Sequence, residues 1–335
     1  MSYIIKRATI AVITMILVSI FCFLAFSVIR GDPASLLAGV SAAPEQLELL
    51  REEIGLNRNV FERYFLWLTG FFSGNLGNSL RFPGETVSNL ILTRLPVSIT
   101  LAFLALIFIL LIAIPVSLLS VRREGSLIDR IVNIFTAAGI SIPGFFLGLL
   151  FIWFFGIGLK FFSPGVFVHW RVNFWGFIGS LCFPALAIAI PNAAVLTKFL
   201  RSSLFKEQKS DYVRTVRSKG AKRSHILCRH VLRNAVVPSV TVLGMIIAEI
   251  FSGSIVIEQV FTIPGIGRLL IAAISSRDYP LIQNLVVYIA FVVVLANTLA
   301  DITIQIIDPR IKMETFARPL SNDRARMRFG LQKQK

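Results

Sequence analysis

The sequence is poor in charged side chains and in cysteine. Charged residues make up 16% of its 335 residues, whereas a soluble globular domain carries about 25%. This shortage excludes an ordinary water-soluble domain of the same length. The three cysteines, Cys22, Cys182 and Cys228, lie far apart in the sequence. Their spacing excludes a disulfide framework and any cysteine-based metal motif.

Histidine and nucleotide-binding motifs are also scarce. His225 and His230 are five residues apart, a spacing that places them off a common face of an α-helix, and His169 is distant from both. No metal site is therefore predicted. The sequence contains no G-x-x-x-x-G-K-[S/T] segment, the loop that holds nucleotide phosphates. The chain is not expected to hydrolyse ATP by itself.

Apolar residues are abundant and gathered in long blocks. Hydrophobic residues make up 55% of the chain, with 29 phenylalanines. A bilayer core about 30 Å thick requires about 20 apolar residues in a helix. The blocks predict an all-α membrane protein with six transmembrane helices, the first of them an uncleaved span rather than a signal peptide. The predicted spans are residues 8–29, 97–121, 131–159, 177–196, 238–260 and 281–307.

Proline and glycine refine these spans and the segments between them. Pro96 is expected at the entry of the second span, where its missing N–H is harmless, and Pro115 is expected to kink that span. The sequence Ser141-Ile142-Pro143-Gly144 interrupts the third span. Gly144 and Gly148 form a small-xxx-small pair suited to close helix packing. Two short helices are predicted at 44–54 and 60–72.

The predicted organisation has four parts. Residues 1–30 form the N-terminus and first span, and residues 31–96 form an extracytoplasmic loop with short helices. Residues 97–310 form the core with five spans, and residues 311–335 form a basic tail. Together these parts describe one membrane domain with a polar segment on each side.

Charge distribution predicts which side of the membrane each loop faces. One set of loops, with both termini, holds 24 of the 34 Lys and Arg residues and seven acidic residues. An excess of Lys and Arg marks the cytoplasmic side, so both termini are predicted to be cytoplasmic. The net charge of +16 thus reports topology, and no nucleic-acid partner is predicted.

A basic stretch at about 198–238 separates the fourth and fifth spans. Its sequence predicts a helix at 211–219, a turn at Gly220, and a second helix at 222–235 that leads to Pro238 at the start of the fifth span. Apolar residues recur on one side of each helix, among many Arg and Lys residues. Such a helix-turn-helix suits docking into a groove of another protein. The alternative is a solvated basic loop that attracts anionic lipid head groups.

The motifs of this stretch resemble those of a known family. Asp211-Tyr212, Gly220, Arg229-His230-x-Leu232-Arg233-Asn234-Ala235 and Pro238 are similar to the cytoplasmic coupling-loop signature of bacterial ABC-importer permeases. The resemblance is to the first permease subunit of the dipeptide/oligopeptide/nickel family, although Val216 stands where that family usually has alanine. Further matching motifs occur in order: Gly31-Asp32-Pro33, Leu76-Gly77-x-Ser79, Arg94-Leu95-Pro96-x-Ser98, Ser141-x-Pro143, Glu258-x-x-Phe261-x-x-Pro264-Gly265-x-Gly267, Arg277-Asp278-Tyr279-Pro280 and Asp308-Pro309-Arg310.

The resemblance implies a permease subunit of the bacterial inner membrane with several partners. A second homologous permease completes the path, two ATPase subunits hold ATP and Mg²⁺ and dock on the coupling loops, and an extracytoplasmic binding protein delivers the substrate. No cofactor and no catalytic residue is expected in this chain. The residues implied in ATPase coupling are Asp211, Tyr212, Arg214, Thr215, Val216, Gly220, Arg229, His230, Arg233 and Asn234.

Three acidic residues lie within or beside the predicted spans. Glu249 and Asp301 are costly inside a bilayer, so each is expected to face the bundle interior or a cavity. Each is interpreted either as lining the translocation path or as making an interhelical or partner contact. Glu258 is expected to cap the loop that follows it, with Arg277 and Asp278 paired nearby.

The substrate and the transport mechanism have alternatives at this stage. Di- and oligopeptides are the first expectation, and nickel or a metal chelate is the second. A different class, an ATP-independent channel or secondary transporter, leaves the coupling-loop signature unexplained. A membrane-embedded enzyme would need a polar catalytic cluster, for which only Glu249 and Asp301 are available.

Overall fold

The structure, a computed structural model, describes residues 2–28, 44–53 and 58–307. The predictions for Gly31-Asp32-Pro33, for Ile54 and for the chain after residue 307 lie outside these ranges. Within them the chain is built from helices, with one isolated β-bridge between Asn78 and Thr86. The α-helices are α1 (Ser2–Val28), α2 (Pro44–Glu53), α3 (Val60–Ser73), α4 (Val87–Arg122), α5 (Leu127–Ser141), α6 (Gly144–Phe151), α7 (Phe174–Gln208), α8 (Asp211–Ser218), α9 (Arg223–His225), α10 (Leu232–Val260), α11 (Ile266–Ser276) and α12 (Tyr279–Ile307).

The predicted all-α fold with six membrane spans is confirmed, with the third span broken. Five helical segments in the described ranges are long and apolar enough to cross a bilayer, and α5 with the helical segment after it counts as a sixth span when the two are taken together across their 99° bend. The bend falls at Ile142 and Pro143, which both have extended backbone conformations. Proline lacks an N–H and disfavours helical geometry in the residue before it. After α6 the chain continues as a π-helical segment, Ile152–Gly158.

Two helices are longer than the sequence predicts. Helix α4 begins at Val87, capped by the Thr86 hydroxyl, which accepts a hydrogen bond from the Asn89 N–H at 3.3 Å. Pro96 therefore lies inside the helix and not at its entry, and Pro115 also lies within the continuous helix. Helix α7 continues past the predicted end of the fourth span to Gln208. Hydrophobicity alone marks the part inside the bilayer and misses the polar turns that extend these helices.

The main core lies between α4, α7 and α10, with α6 against them. It includes Leu101, Ile109, Leu181 and Ile250, all fully buried or nearly so. Burial of such side chains is the dominant packing contribution in this part of the molecule.

Glycines bring the broken third span close to this core. A Cβ at Gly139 would lie 2.9 Å from the Ala194 Cβ, and a Cβ at Gly144 would lie 3.1 Å from the Ala187 oxygen. At Gly148 it would lie 3.0 Å from Phe261. The predicted packing role of Gly144 and Gly148 is therefore confirmed.

Helix α3 packs on the pair formed by α1 and α12. The Trp67 indole N–H donates to Asn284 Oδ1 at 3.0 Å, and the hydroxyls of Ser19 and Tyr64 are 2.8 Å apart. The opposite face of α3 exposes Phe61, Phe65 and Phe72. This face carries the aromatic side chains that are typical of a helix at a membrane interface.

Candidate functional site: the helical loop between α7 and α10

The basic stretch folds back on the end of α7. Val213 of α8 is 1% exposed and packs with Leu204 of α7 and Val231, which precedes α10. The same cluster includes Val121 at the end of α4. Because α8 has one apolar side and a polar opposite side, burying the apolar side fixes the orientation of the helix. The loop is thus attached to three of the long helices.

The predicted first helix and its turn are present. Helix α8 covers Asp211–Ser218, and Gly220 follows with φ +80°, in the left-handed region that favours glycine. Val216 is partly buried against the apolar cluster. The larger side chain at this position is therefore accommodated by packing inside the loop.

The second predicted helix differs from expectation in its geometry. In place of one α-helix at 222–235, the chain forms α9, then a π-helical segment Ile226–Val231, then α10. Pro238 lies inside α10 and does not open the span. The helical path from Arg223 to Val260 is one long segment, so the loop is joined directly to the fifth span.

The π-helical segment also changes where two histidines lie. Its wider turn, with i→i+5 hydrogen bonds, brings the rings of His225 and His230 to 5.8 Å between centroids. The prediction that they lie off a common face was wrong, because it assumed α-helical geometry. Among the described residues no group of three or more His, Cys, Asp or Glu side chains could hold a metal ion.

Tyr212 links the three helices of the loop by hydrogen bonds. Its hydroxyl donates to Glu207 Oε2 at 2.9 Å, at the end of α7, and accepts from the Asn234 side chain in the first turn of α10. Burial raises the pKa of the Tyr212 hydroxyl above its ordinary value, so it is neutral at physiological pH and remains a donor. Tyr212 and Asn234 were predicted from the signature. Glu207 was not, and its place five residues before Tyr212 is the only sequence signal for it.

Replacing Tyr212 with phenylalanine should loosen this joint without removing the ring. We expect the free energy of unfolding of the loop to fall by about 1 kcal/mol and amide hydrogen exchange across residues 212–220 to become faster. Tyr279→Phe is the matched control, because within the described ranges the Tyr279 hydroxyl has no hydrogen-bond partner. Hydrogen exchange of the purified chain in lipid nanodiscs measures the effect. Equal protection of the loop in both variants would contradict the assigned role.

The remaining predicted coupling residues form the outer surface of the loop. His230 is partly buried, and Asp211 pairs weakly with Arg214 at 3.6 Å on the exposed side of α8. Exposed pairs of this kind contribute little to stability, so these side chains remain accessible to a partner. The exposed members are Asp211, Arg214, Thr215, Gly220, Arg229, Arg233 and Asn234.

A partly buried ion pair holds the helices next to the loop. Arg201 of α7 donates to Asp129 Oδ1 at 2.9 Å, and both groups also bond the Ser120 hydroxyl of α4. The Gly125 N–H donates to the other carboxylate oxygen. The turn between α4 and α5 is thereby fixed against α7. No sequence motif had indicated this network.

The two acidic residues predicted within spans lie in different environments. Glu249 is exposed on the surface of α10, so within this chain it does not face the bundle interior as expected. Asp301 of α12 forms a 3.0 Å ion pair with Arg7 of α1. This contact matches the interhelical interpretation of Asp301. The structure does not bring Glu249 and Asp301 together.

Glu258 caps a helix at the opposite end of the molecule, as expected. Its side chain is fully buried and accepts hydrogen bonds from the Ser98 hydroxyl at 2.6 Å and from the Gly267 and Arg268 N–H groups. Ser98 in turn accepts from the Ile266 N–H at 2.8 Å. All three N–H groups belong to the first turn of α11, where backbone donors have no partners inside their own helix.

Asp278 is buried beyond the other end of α11 and is not paired with Arg277. Its carboxylate accepts hydrogen bonds from the Ser79 hydroxyl and from the Arg81 and Leu281 N–H groups. Arg277 is exposed and has a left-handed backbone, φ +56°. The expected Arg277–Asp278 pair was wrong, because the turn directs the two side chains apart.

Six membrane spans with a basic helical loop packed between the fourth and fifth define the membrane-spanning component of a transport system. Comparison with known sequences identifies the component. The chain belongs to the family of binding-protein-dependent transport system inner membrane components, which it matches over residues 113–313. Residues 1–102 match the N-terminal part of a binding-protein-dependent transport system membrane component.

Curated relatives extend the match along the chain. An oligopeptide transport system permease protein of Bacillus subtilis is 35% identical over 313 residues, which covers 93% of this chain and 99% of the relative. A dipeptide transport system permease protein of Lactococcus lactis is 31% identical over 311 residues, with the same two coverages. A solved methionine ABC transporter in inward-facing conformations has a TM-score of 0.52 at 18% identity, covering 65% of this chain and 96% of its own. That likeness shows a shared fold.

Proposed function

We propose that this chain is a permease subunit of an ABC importer that carries di- or oligopeptides across the bacterial inner membrane. The observation that carries the proposal is the helical loop, which is packed against α4, α7 and α10 and presents an exposed basic surface. A force on that surface would reach three spans at once. The peptide substrate is supported by the names of the relatives, two of which are an oligopeptide and a dipeptide permease.

The proposed division of labour places ATP hydrolysis in other chains. Two ATPase subunits hold ATP and Mg²⁺ and dock on the loops of this chain and of a second, homologous permease. An extracytoplasmic binding protein supplies the substrate. The basic loops and both termini are cytoplasmic in this proposal, because Lys and Arg are concentrated on that side. In this division of labour the chain needs no cofactor and performs no catalysis itself.

The surface of α10 is the proposed wall of the path. Glu249 lies in the middle of this span and is exposed on the isolated chain. A carboxylate at that depth is costly against lipid, so we place it at the interface with the second permease, toward the path. Asp301, paired with Arg7, is assigned to helix packing.

Neither the nickel importer nor the ATP-independent transporter explains both the docked loop and the peptide permeases among the relatives. A nickel or metal-chelate importer would share the architecture, yet Glu249 is the only exposed carboxylate on α10, the proposed wall of the path. An ATP-independent channel or secondary transporter would have no use for a loop docked on three spans. The peptide importer accounts for both observations.

The proposal is tested by ATP turnover of the complete complex in lipid, with its binding protein. We expect peptides to stimulate turnover and to be carried into the vesicles. Nickel at matched concentration is the comparison, and vesicles without the binding protein are the control. If nickel stimulates turnover and peptides do not, nickel and not peptide is the substrate of this importer. If the ATPase subunits do not bind this chain, the importer function itself fails.

A further inference from the structure

A large cavity, open to solvent on one side, lies beside the coupling loop and is not part of its outer docking surface. Its volume is about 500 Å³. It is bounded by the end of α7, the turn between α4 and α5, the end of α8 and the beginning of the helical segment after Gly220. The lining residues are Glu124, Phe205, Gln208, Lys209, Arg217, Ala221, Arg223 and Ile226.

The cavity concentrates positive charge. Lys209, Arg217 and Arg223 line it, against the single acid Glu124. Within the described ranges none of the three cations forms an ion pair or a side-chain hydrogen bond, whereas the nearby Arg201 and Arg214 both do. Like charges gathered in one cavity repel one another, and a bound anion removes that repulsion.

A neutral group in the cavity wall adds a second requirement for the ligand. The Oε1 atom of Gln208 is buried and has no hydrogen-bond partner within the described ranges. A buried amide oxygen without a partner costs free energy. This oxygen is closed to a probe the size of water, so a ligand hydroxyl next to the anionic group would reach it once the Gln208 side chain turns toward the cavity, while the cations bind the anion.

We propose that this cavity binds a phosphate group that carries or adjoins a hydroxyl. Two sources share this chemistry: inorganic phosphate or a soluble phosphate ester, and the head group of a lipid such as phosphatidylglycerol. The volume lies within the range of about 300–1,000 Å³ found for small-molecule sites. Arginine also matches the geometry of phosphate oxygens.

The bound phosphate would join parts of the loop that move together. Lys209 follows α7, Arg217 lies in α8, and Arg223 begins α9. Simultaneous contacts to all three would stiffen the joint around Gly220. The site therefore regulates the coupling loop through its rigidity. The binding step itself does not depend on the proposed import function.

The test measures thermal unfolding of the full chain in lipid nanodiscs. In phosphatidylcholine discs, inorganic phosphate is titrated against sodium chloride of equal ionic strength. In a second arm, phosphatidylglycerol replaces part of the phosphatidylcholine. We expect at least one arm to raise the unfolding temperature, because a ligand that binds the folded state stabilises it. The responding arm identifies the source.

Variants distinguish specific binding in the cavity from non-specific electrostatic attraction of anions to the basic surface. The double variant Arg217→Gln/Arg223→Gln should raise the ligand concentration needed for half-saturation about tenfold. Lys209→Gln gives a milder test if the double variant does not fold. The control is Arg122→Gln/Lys206→Gln, which removes two exposed cations outside the cavity wall. An equal loss in the control would overturn the proposal, and so would no response in either arm. The proposal also fails if the cavity variants respond to the ligand as the unchanged chain does.

Discussion

Replacing Glu258 with alanine should lower the free energy of unfolding by about 3 kcal/mol. The carboxyl group is fully buried and joins α10 to Ser98 of α4 and to the first turn of α11. Its removal leaves the Gly267 and Arg268 N–H groups buried without partners and opens a cavity. Thermal or denaturant unfolding of the purified chain measures the loss.

Two variants sharpen this test. Glu249→Ala removes the same side chain from the same helix at an exposed position, where no contact within this chain is lost and a carboxylate costly at that depth is removed, so we expect no loss of stability. Glu258→Gln keeps the volume but turns an amide N–H₂ toward backbone donors, so an intermediate loss is expected. Similar unfolding of the Glu249 and Glu258 alanine variants would contradict the capping role.

Replacing Gly220 with valine should uncouple transport from ATP turnover in the reconstituted complex. Gly220 has φ +80°, and nothing lies within 4 Å of a Cβ built there. The expected effect therefore comes from backbone strain of about 1–2 kcal/mol and not from a clash. Because about 1.4 kcal/mol shifts a conformational equilibrium by a factor of ten, we expect the peptide carried per ATP hydrolysed to fall by at most about tenfold.

Gly220→Asn provides the matched comparison for this prediction. Asparagine adopts the left-handed conformation at lower cost, so it should keep most of the coupling although it adds a side chain at the same place. Peptide uptake and phosphate release are measured on the same vesicles. If the valine and asparagine variants carry the same amount of peptide per ATP, the turn at Gly220 does not set the coupling.

The sequence was sufficient to predict the spans and the loop, because both follow from local patterns. Apolar blocks of bilayer length predict the membrane helices, and the glycine after α8 predicts the turn. The interruption at Ser141–Gly144 correctly located the break in the third span. Its angle of 99° did not follow, because it depends on how α5 and α6 pack against α7 and α10.

Contacts between distant segments were beyond sequence reasoning. The motif around Ser98 and the motif around Glu258 were each recognised, yet only the structure shows that they form one cap. The same holds for Ser79 and Asp278. Gly265 and Gly267 belong to the same arrangement, since a Cβ at Gly265 would lie 2.3 Å from the Glu258 carboxyl carbon. The π-helical geometry at Ile226–Val231 also escaped prediction, because its residues suit an α-helix equally well.

The length of α7 has a mechanical consequence. Its 35 residues form one uninterrupted helix that contains Pro184 and Pro191 and is about 52 Å long along its axis, with the loop at one end and Phe174 at the other. A tilt of about 10° about Gln208 would carry Phe174 sideways by about 9 Å, given that rise per residue. In the proposed importer, a small rotation at the loop end would thus be amplified, by leverage alone, into a displacement wide enough to admit a peptide backbone.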